Sequence, residues 1–191
     1  QQTVKEYNIT DDMIQSFLKS MKLDLVKSDY NSQEEYEEYI YGSADVVGLM
    51  CLRVFVSGHD DRYEALKGEA MRLGSAFQKV NFLRDLKDDN LLLNRNYFPG
   101  VDLKSFDENA KTAIITEIEE DFRVAYQGIV KLPMEAKFGV YTAYVYYKKL
   151  LTKLKNTPYH EIGNSRIRVS NYTKAGLLAQ SFVTYKLRLV Q

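Results

Sequence analysis

Four polar side chains follow one side of a helical pattern in the stretch AFQKVNFLRDLKDD, residues 76–89. They are Gln78, Asn81, Asp85 and Asp89, spaced three or four residues apart, so a helix places them in one stripe. Mg²⁺ binds one or two carboxylates and completes its shell with water and substrate phosphate. The neighbouring Arg84 offers a forked donor for a diphosphate. The pattern indicates a metal–diphosphate site on one wall of a helical bundle.

A second interpretation of the same stretch stays open. Two carboxylates four residues apart repel one another on a helix, by a few tenths of a kcal/mol. Either a bound cation neutralises them, or they lie in water at a helix end with Arg84 and Lys87 as local counter-ions. The carboxylates alone do not separate these alternatives.

The elements that carry this stripe are predicted to be helical almost throughout. Apolar residues recur at helical spacing, and the three prolines, at 99, 133 and 158, fall at breaks in the pattern. We predict one all-α domain over residues 1–191 with about six helices and no strand. The later helices are expected at about 59–89, 107–130, 133–155 and 170–190.

Composition excludes several classes of protein. The 26 basic and 26 acidic side chains cancel, so no bulk field attracts the chain to nucleic acid or to an anionic membrane. A single cysteine, Cys51, rules out a disulfide framework and favours the cytoplasm. No apolar run approaches the roughly 20 residues of a membrane span.

The stretch QKVNFLRDLKDD resembles the second aspartate-rich motif of the squalene/phytoene synthase family, Q-x-x-N-x-x-R-D-x-x-x-D. The following NRNYFP is similar to the family's G-R-x-Y-x-P element and supplies Arg95 and Tyr97. Asn94 stands where the family usually has glycine.

Three further segments carry the resemblance. YIYGSADVVG resembles Y-x-Y-x-x-A-G-x-V-G and supplies Tyr41, Val47 and Gly48, with Asp45 in place of a glycine. Glycines inside a helix point to close approach of another backbone or of a ligand, and helix packing is the preferred interpretation for Gly42. YTAYVYYKK and RIRVSNYTK supply the remaining matches, which are Tyr147, Arg166 and Lys174.

The resemblance implies an isoprenoid-synthase-type helical bundle around a central cavity. It also implies Mg²⁺-dependent, head-to-head condensation of two prenyl diphosphates, farnesyl or geranylgeranyl, through a cyclopropyl diphosphate. The product would be a phytoene-, dehydrosqualene- or squalene-type hydrocarbon, and NADPH is needed only for squalene. By this resemblance Asn81, Asp85 and Asp89 hold the metal, and Asp85, Asp89, Arg84 and Tyr41 are catalytic. Substrate contacts fall to Gln78, Asn81, Arg95, Tyr97, Val47, Gly48, Tyr147, Arg166 and Lys174.

One element of the family is missing from these residues. Its first aspartate-rich motif, D-x-x-x-D on an early helix, has no match here, and Asp24 and Asp29 are five apart in a predicted loop. We therefore expect the C-terminal two-thirds of a synthase, truncated at its N-terminus, with chain swapping, a dimer or a partly open cavity as consequences. Peripheral membrane contact would serve release of a hydrocarbon product.

Two rival hypotheses follow from the missing motif. A non-catalytic isoprenoid-binding or assembly-factor relative on the same fold would also lack it. A plain helical interaction domain with a solvated acidic patch would need no metal at all.

Overall fold

The fold is seen in a computed structural model, which describes residues 1–93, 95–101, 105–162 and 166–190. Asn94, the residue in place of the family's glycine, lies outside the described residues. The described part is helical and confirms the all-α prediction. It includes an isolated parallel bridge between Asp29 and Asn96.

Eight α-helices follow one another along the described chain. They are α1 (Gln2–Glu6), α2 (Asp11–Leu23), α3 (Gln33–Ile40), α4 (Val46–Phe55), α5 (Asp60–Leu93), α6 (Glu108–Ile129), α7 (Met134–Asn156) and α8 (Asn171–Lys186). A π-helical turn, Tyr41–Asp45, joins α3 to α4, and a short 3₁₀ helix spans Tyr159–Glu161.

The predicted bounds of α6 and α7 are confirmed to within one residue. The prediction was wrong at two ends, because α5 continues to Leu93 and α8 stops at Lys186. Side-chain caps explain several helix starts. The Ser32, Asp107 and Ser170 side chains accept hydrogen bonds from backbone N–H groups in the first turns of α3, α6 and α8.

The long helix α5 is the centre of the fold and packs against α4, α6 and α7. Its buried side includes Val80 and Leu83, which meet Ile118 and Phe122 of α6 and Leu154 of α7 in the larger apolar core. A smaller core lies between α2, α4 and the first half of α5. This packing holds the polar stripe of α5 in a fixed direction.

Glycines allow α4 and α5 to lie unusually close together. A Cβ atom built on Gly48 would be 2.6 Å from the backbone oxygen of Ala70, and one built on Gly74 would be 2.6 Å from that of Ala44. A Cβ built on Gly42 would be 2.7 Å from the Ser16 oxygen of α2, which confirms the packing interpretation for Gly42. No helix of the described residues is long and apolar enough to cross a membrane.

Candidate active site

The carboxylate of Asp85 is held by two arginines from different parts of the chain. Arg84 donates from Nε to Oδ1 at 2.9 Å and from a terminal nitrogen to Oδ2. Arg166 approaches from the segment before α8, with its Nε 3.2 Å from Oδ1. Asp85 is therefore anchored at a place where two forked cations converge.

The carboxylate of Asp89 lies one turn further along α5 and is only partly exposed. Burial, followed by the nearby charge of Asp85, raises its pKa to about 6. Asp88, in contrast, is exposed. Because α5 runs on to Leu93, the aspartates precede the helix terminus by one or two turns, and our expectation that they lie at its end was wrong.

The amide end of the stripe meets an aromatic wall from α7. The Tyr147 hydroxyl lies 3.5 Å from Asn81 Oδ1, at the limit of a hydrogen bond. The Tyr147 ring stacks on Phe77 with 4.1 Å between centroids. The structure thus brings Asn81 and Tyr147 together.

A second polar cluster lies beside the C-terminal end of α5. The Arg95 side chain donates to the backbone oxygen of Asp24 and to the Tyr97 hydroxyl. Its backbone N–H donates to the backbone carbonyl oxygen of Asp89 at 2.9 Å. The Tyr39 hydroxyl donates to Asp24 Oδ1 at 2.7 Å. The Tyr97 ring is buried and stacks on Phe82 with centroids 3.9 Å apart. Arg95 is thereby fixed next to the aspartates.

Asp24 is the residue that sequence reasoning missed. The sequence places Asp24 in a predicted loop, without a second aspartate at the D-x-x-x-D spacing. The structure places it next to Arg95, 71 residues away in the chain, through the bridge between Asp29 and Asn96. No local signal marks such a contact.

An apolar cavity of about 570 Å³ lies next to the stripe, between α4, α5, α6 and α7. Val47, Gly48, Phe77 and Gln78 line it, together with mostly small or aliphatic side chains. Gln78 and Asp85 are seven residues apart on α5, so the carboxylate lies about 10 Å further along the helix axis. The two carboxylates therefore lie further along the same helix from the cavity that Gln78 lines.

Three predicted positions stand apart from this cavity. Tyr41 is half-exposed on the π-helical turn and is not among the cavity-lining residues that the structure describes. Lys174 has its Nζ 5.7 Å from the centroid of the Tyr146 ring. Asp45 is buried, accepts a hydrogen bond from the Ser75 hydroxyl at 2.7 Å, and does not line the cavity either.

The side chains of Asn81, Asp85 and Asp89 suit a metal ion whose remaining ligands come from a bound substrate and water, rather than one coordinated by the protein alone. Among the described residues, no group of three or more His, Cys, Asp or Glu side chains could hold a metal ion. Mg²⁺ needs only one or two carboxylates when substrate phosphates and water complete its shell. Burial and then the charge of Asp85 raise the pKa of Asp89 to about 6, and a bound cation would favour its charged form.

Comparison with known proteins gives a consistent result. The sequence profile of the squalene/phytoene synthase family matches residues 1–173. Phytoene synthase of Arthrospira platensis is 28% identical over 177 residues, covering 80% of this chain and 57% of that protein. Phytoene synthase 1 of Solanum lycopersicum chloroplasts is 24% identical, covering 94% of this chain and 45% of that protein. The chain thus spans about half the length of these relatives.

Solved structures share the fold. A dehydrosqualene synthase in complex with a ligand superposes with a TM-score of 0.76 at 21% identity, covering 93% of this chain and 66% of that one. The squalene synthase of Alicyclobacillus acidocaldarius gives a TM-score of 0.69 at 18% identity, covering 82% of this chain and 64% of that one. At such identities the likeness establishes the helical architecture alone.

Proposed function

Because the chain belongs to the squalene/phytoene synthase family, we propose that it carries part of a Mg²⁺-dependent head-to-head condensation of two prenyl diphosphates. The observation that supports this most directly is the pair Asp85 and Asp89 on the same helix as Gln78, which lines the apolar cavity. One substrate has the same two parts, a charged diphosphate and an apolar tail.

Asp85, Asp89 and Asn81 would hold Mg²⁺. When bound, the metal would supply the charge that makes the diphosphate a good leaving group. Asp89 would contribute a partly buried carboxylate whose charged form a cation would stabilise. To bind Mg²⁺, Asp85 has to give up at least one hydrogen bond from an arginine, since both of its oxygens accept from arginines.

The arginines released from Asp85 would then bind the diphosphate oxygens. Arg84 and Arg166 already converge on one point, and their fork geometry suits a diphosphate as well as a carboxylate. Arg95, whose charge acts to lower the pKa of Asp89, would add a third positive charge. The Tyr97 hydroxyl accepts a hydrogen bond from Arg95 and so helps to fix that arginine. Lys174 would make a weaker contact with the diphosphate.

The cavity would take the prenyl tail and exclude water from the cation left after ionisation. Val47 and Gly48 shape its wall, and Phe77 with Tyr147 presents stacked rings beside the polar stripe. Aromatic faces stabilise nearby positive charge through their quadrupole, and a dry site protects a carbocation from capture by water. Tyr41 would belong to this wall only where the substrate extends toward the π-helical turn.

Joining the two substrates would give a cyclopropyl diphosphate and then a phytoene-, dehydrosqualene- or squalene-type hydrocarbon. Loss of a proton ends the first two reactions, whereas squalene needs hydride from NADPH. We favour the proton-loss branch, which needs no dinucleotide.

The test uses the protein with Mg²⁺ and either farnesyl or geranylgeranyl diphosphate. Calorimetry should show Mg²⁺-dependent binding that Asp85→Asn and Asp89→Asn each weaken at least tenfold, because each removes a charged ligand. The matched control Asp88→Asn removes the same charge from the exposed position and should change binding little. Mass spectrometry of the extract then identifies any hydrocarbon.

A non-catalytic prenyl-diphosphate-binding role is the second candidate, favoured by the single D-x-x-x-D motif in these 191 residues. Binding that depends on Asp85 and Asp89 without any hydrocarbon product would support it over catalysis. If neither substitution changes binding, both candidate functions are overturned, and the aspartates form only a solvated acidic patch.

A further inference from the structure

The apolar cavity follows α5 over a defined length. Of the α5 side chains that line it, Gln78 is nearest to the aspartates and Leu66 is furthest from them. Twelve positions separate these two residues, so the cavity extends about 18 Å along the helix axis. We call the end of the cavity at Leu66 the distal end.

Phe55, the last residue of α4, lines the cavity at its distal end. A Cβ atom built on Gly48 would meet the backbone of Ala70. One built on Gly74 would meet the backbone of Ala44, so α4 and α5 run antiparallel past the cavity. Residues that follow Gly48 therefore lie beside the first part of α5, and Phe55 comes two turns after Gly48.

The side chains at the distal end differ in burial. Leu66 and Leu132 line the cavity and are buried in the smaller core. Phe55 is only partly buried and packs against that core. On the other side, α7 lines the cavity with small residues such as Ala136 and Gly139. Phe55 is therefore a bulky side chain that can be shortened without removing a buried residue of the core.

We propose that Phe55 limits the length of the prenyl tail, so that the cavity accepts four isoprene units. The inference rests on the proposed function, in which the diphosphate is bound at Asp85 and Asp89 and the tail enters the cavity at Gln78. An extended carbon chain advances about 1.2 Å per bond, as an extended polypeptide does. A farnesyl tail then spans about 13 Å, a geranylgeranyl tail about 18 Å and a geranylfarnesyl tail about 23 Å. The geranylgeranyl tail fills the cavity without passing Phe55.

The experiment compares the affinities of farnesyl, geranylgeranyl and geranylfarnesyl diphosphate by calorimetry in the presence of Mg²⁺. We expect the unmodified protein to bind geranylgeranyl diphosphate at least tenfold more tightly than the other two. The shorter tail leaves apolar surface of the cavity in water, and the longer tail meets the Phe55 ring. In Phe55→Ala, geranylfarnesyl diphosphate should bind at least tenfold more tightly than before, whereas farnesyl diphosphate, which ends short of this position, should keep its affinity.

A second variant shortens the cavity instead of lengthening it. Cys51 lines the cavity one turn before Phe55, so Cys51→Phe places a ring nearer to Gln78. Geranylgeranyl diphosphate should then bind at least tenfold more weakly, and farnesyl diphosphate should keep its affinity. Phe17→Ala is the matched control, because Phe17 also packs against the smaller core but is not among the cavity-lining residues that the structure describes. This control should retain the order of the three affinities.

The corresponding prenyl alcohols, measured without Mg²⁺, separate the length limit from the proposed function. If the alcohols show the expected order of affinities and the diphosphates do not bind, the proposed function fails and the length limit stands. The length limit is overturned if Phe55→Ala and Cys51→Phe both leave the order of the three tails unchanged. It is also overturned if Phe17→Ala changes that order as much as Phe55→Ala does.

Discussion

Arg166 reaches the carboxylate of Asp85 across 81 residues of chain, with its Nε 3.2 Å from Oδ1. The contact joins the segment before α8 to the polar stripe of α5. The contact also occupies a carboxylate oxygen of Asp85 that a metal ion would need. Arg166 and Asp85 therefore form either a purely structural ion pair or a ligand-free arrangement that changes when a ligand binds.

Replacing Arg166 separates these two roles. In Arg166→Gln we expect Mg²⁺ alone to bind as well as before or better, because Asp85 loses a competing cation. Binding of Mg²⁺ with inorganic diphosphate should weaken at least tenfold, since a charge-assisted hydrogen bond contributes about 1.5–3 kcal/mol. Calorimetry with and without diphosphate measures both effects.

Arg168→Gln is the matched control, two residues away and exposed. It should leave both affinities unchanged. If Arg166→Gln lowers the free energy of unfolding and leaves diphosphate binding intact, the Arg166–Asp85 pair is structural only. We expect little change in stability, because the arginine is 48% exposed in the pair.

The sequence predicted α5 and its polar stripe because helical periodicity is a local property. Val80 and Leu83 point to the core while Gln78, Asn81 and Asp85 share another side, and the structure retains that division. The all-α class and the bounds of α6 and α7 follow from the same periodicity.

What the sequence did not predict depends on contacts between distant segments. The π-helical turn at Tyr41–Asp45 packs on α2 at Gly42 and on Gly74 of α5 at Ala44, and no window of residues around Tyr41 contains that information. The contact of Asp24 with Arg95 depends on the bridge between Asp29 and Asn96.

Close packing at Gly48 predicts a loss of stability on adding one methyl group. In Gly48→Ala the new Cβ would meet the Ala70 backbone oxygen at 2.6 Å, so one of the helices has to move. We expect the free energy of unfolding to fall by about 1–3 kcal/mol. Urea denaturation followed by circular dichroism measures it.

Gly68→Ala is the control for the backbone effect of replacing a helical glycine. Gly68 is on α5 with no atom within 4 Å of a built Cβ. Here the free energy of unfolding should rise by about 0.5–1 kcal/mol, because alanine favours the helix. Equal changes at both positions would contradict the packing argument.

Burial of Asp45 predicts a pH-dependent penalty on folding. Burial raises the pKa of Asp45 from its ordinary 3.8 to about 6, although the Ser75 hydroxyl and Lys79 oppose the shift. A raised folded-state pKa means that this group's contribution to stability is full below about pH 4 and is lost as pH rises through about 6.

Asp45→Asn should remove that dependence and keep an acceptor for Ser75. We expect the variant to match the unmodified protein in free energy of unfolding at low pH and to exceed it above neutrality by on the order of 2 kcal/mol. The exposed Asp61→Asn is the control. A stability difference that does not grow with pH would show that Asp45 is not penalised by burial.

The apolar cavity and the aspartate site should be separable by filling the cavity. Gly139 of α7 lines it, and no atom lies within 4 Å of a Cβ built there, so Gly139→Phe can place a ring in the channel without a clash at Cβ. Inorganic diphosphate with Mg²⁺ should still bind, because Asp85 and Asp89 are unchanged. Farnesyl diphosphate should bind at least tenfold more weakly, since its tail loses apolar surface to bury.

Gly68→Phe, in open space and outside the cavity lining, should weaken neither ligand. If Gly139→Phe weakens binding of inorganic diphosphate as much as that of farnesyl diphosphate, the loss does not depend on the prenyl tail. The cavity and the aspartates would then not bind the same ligand.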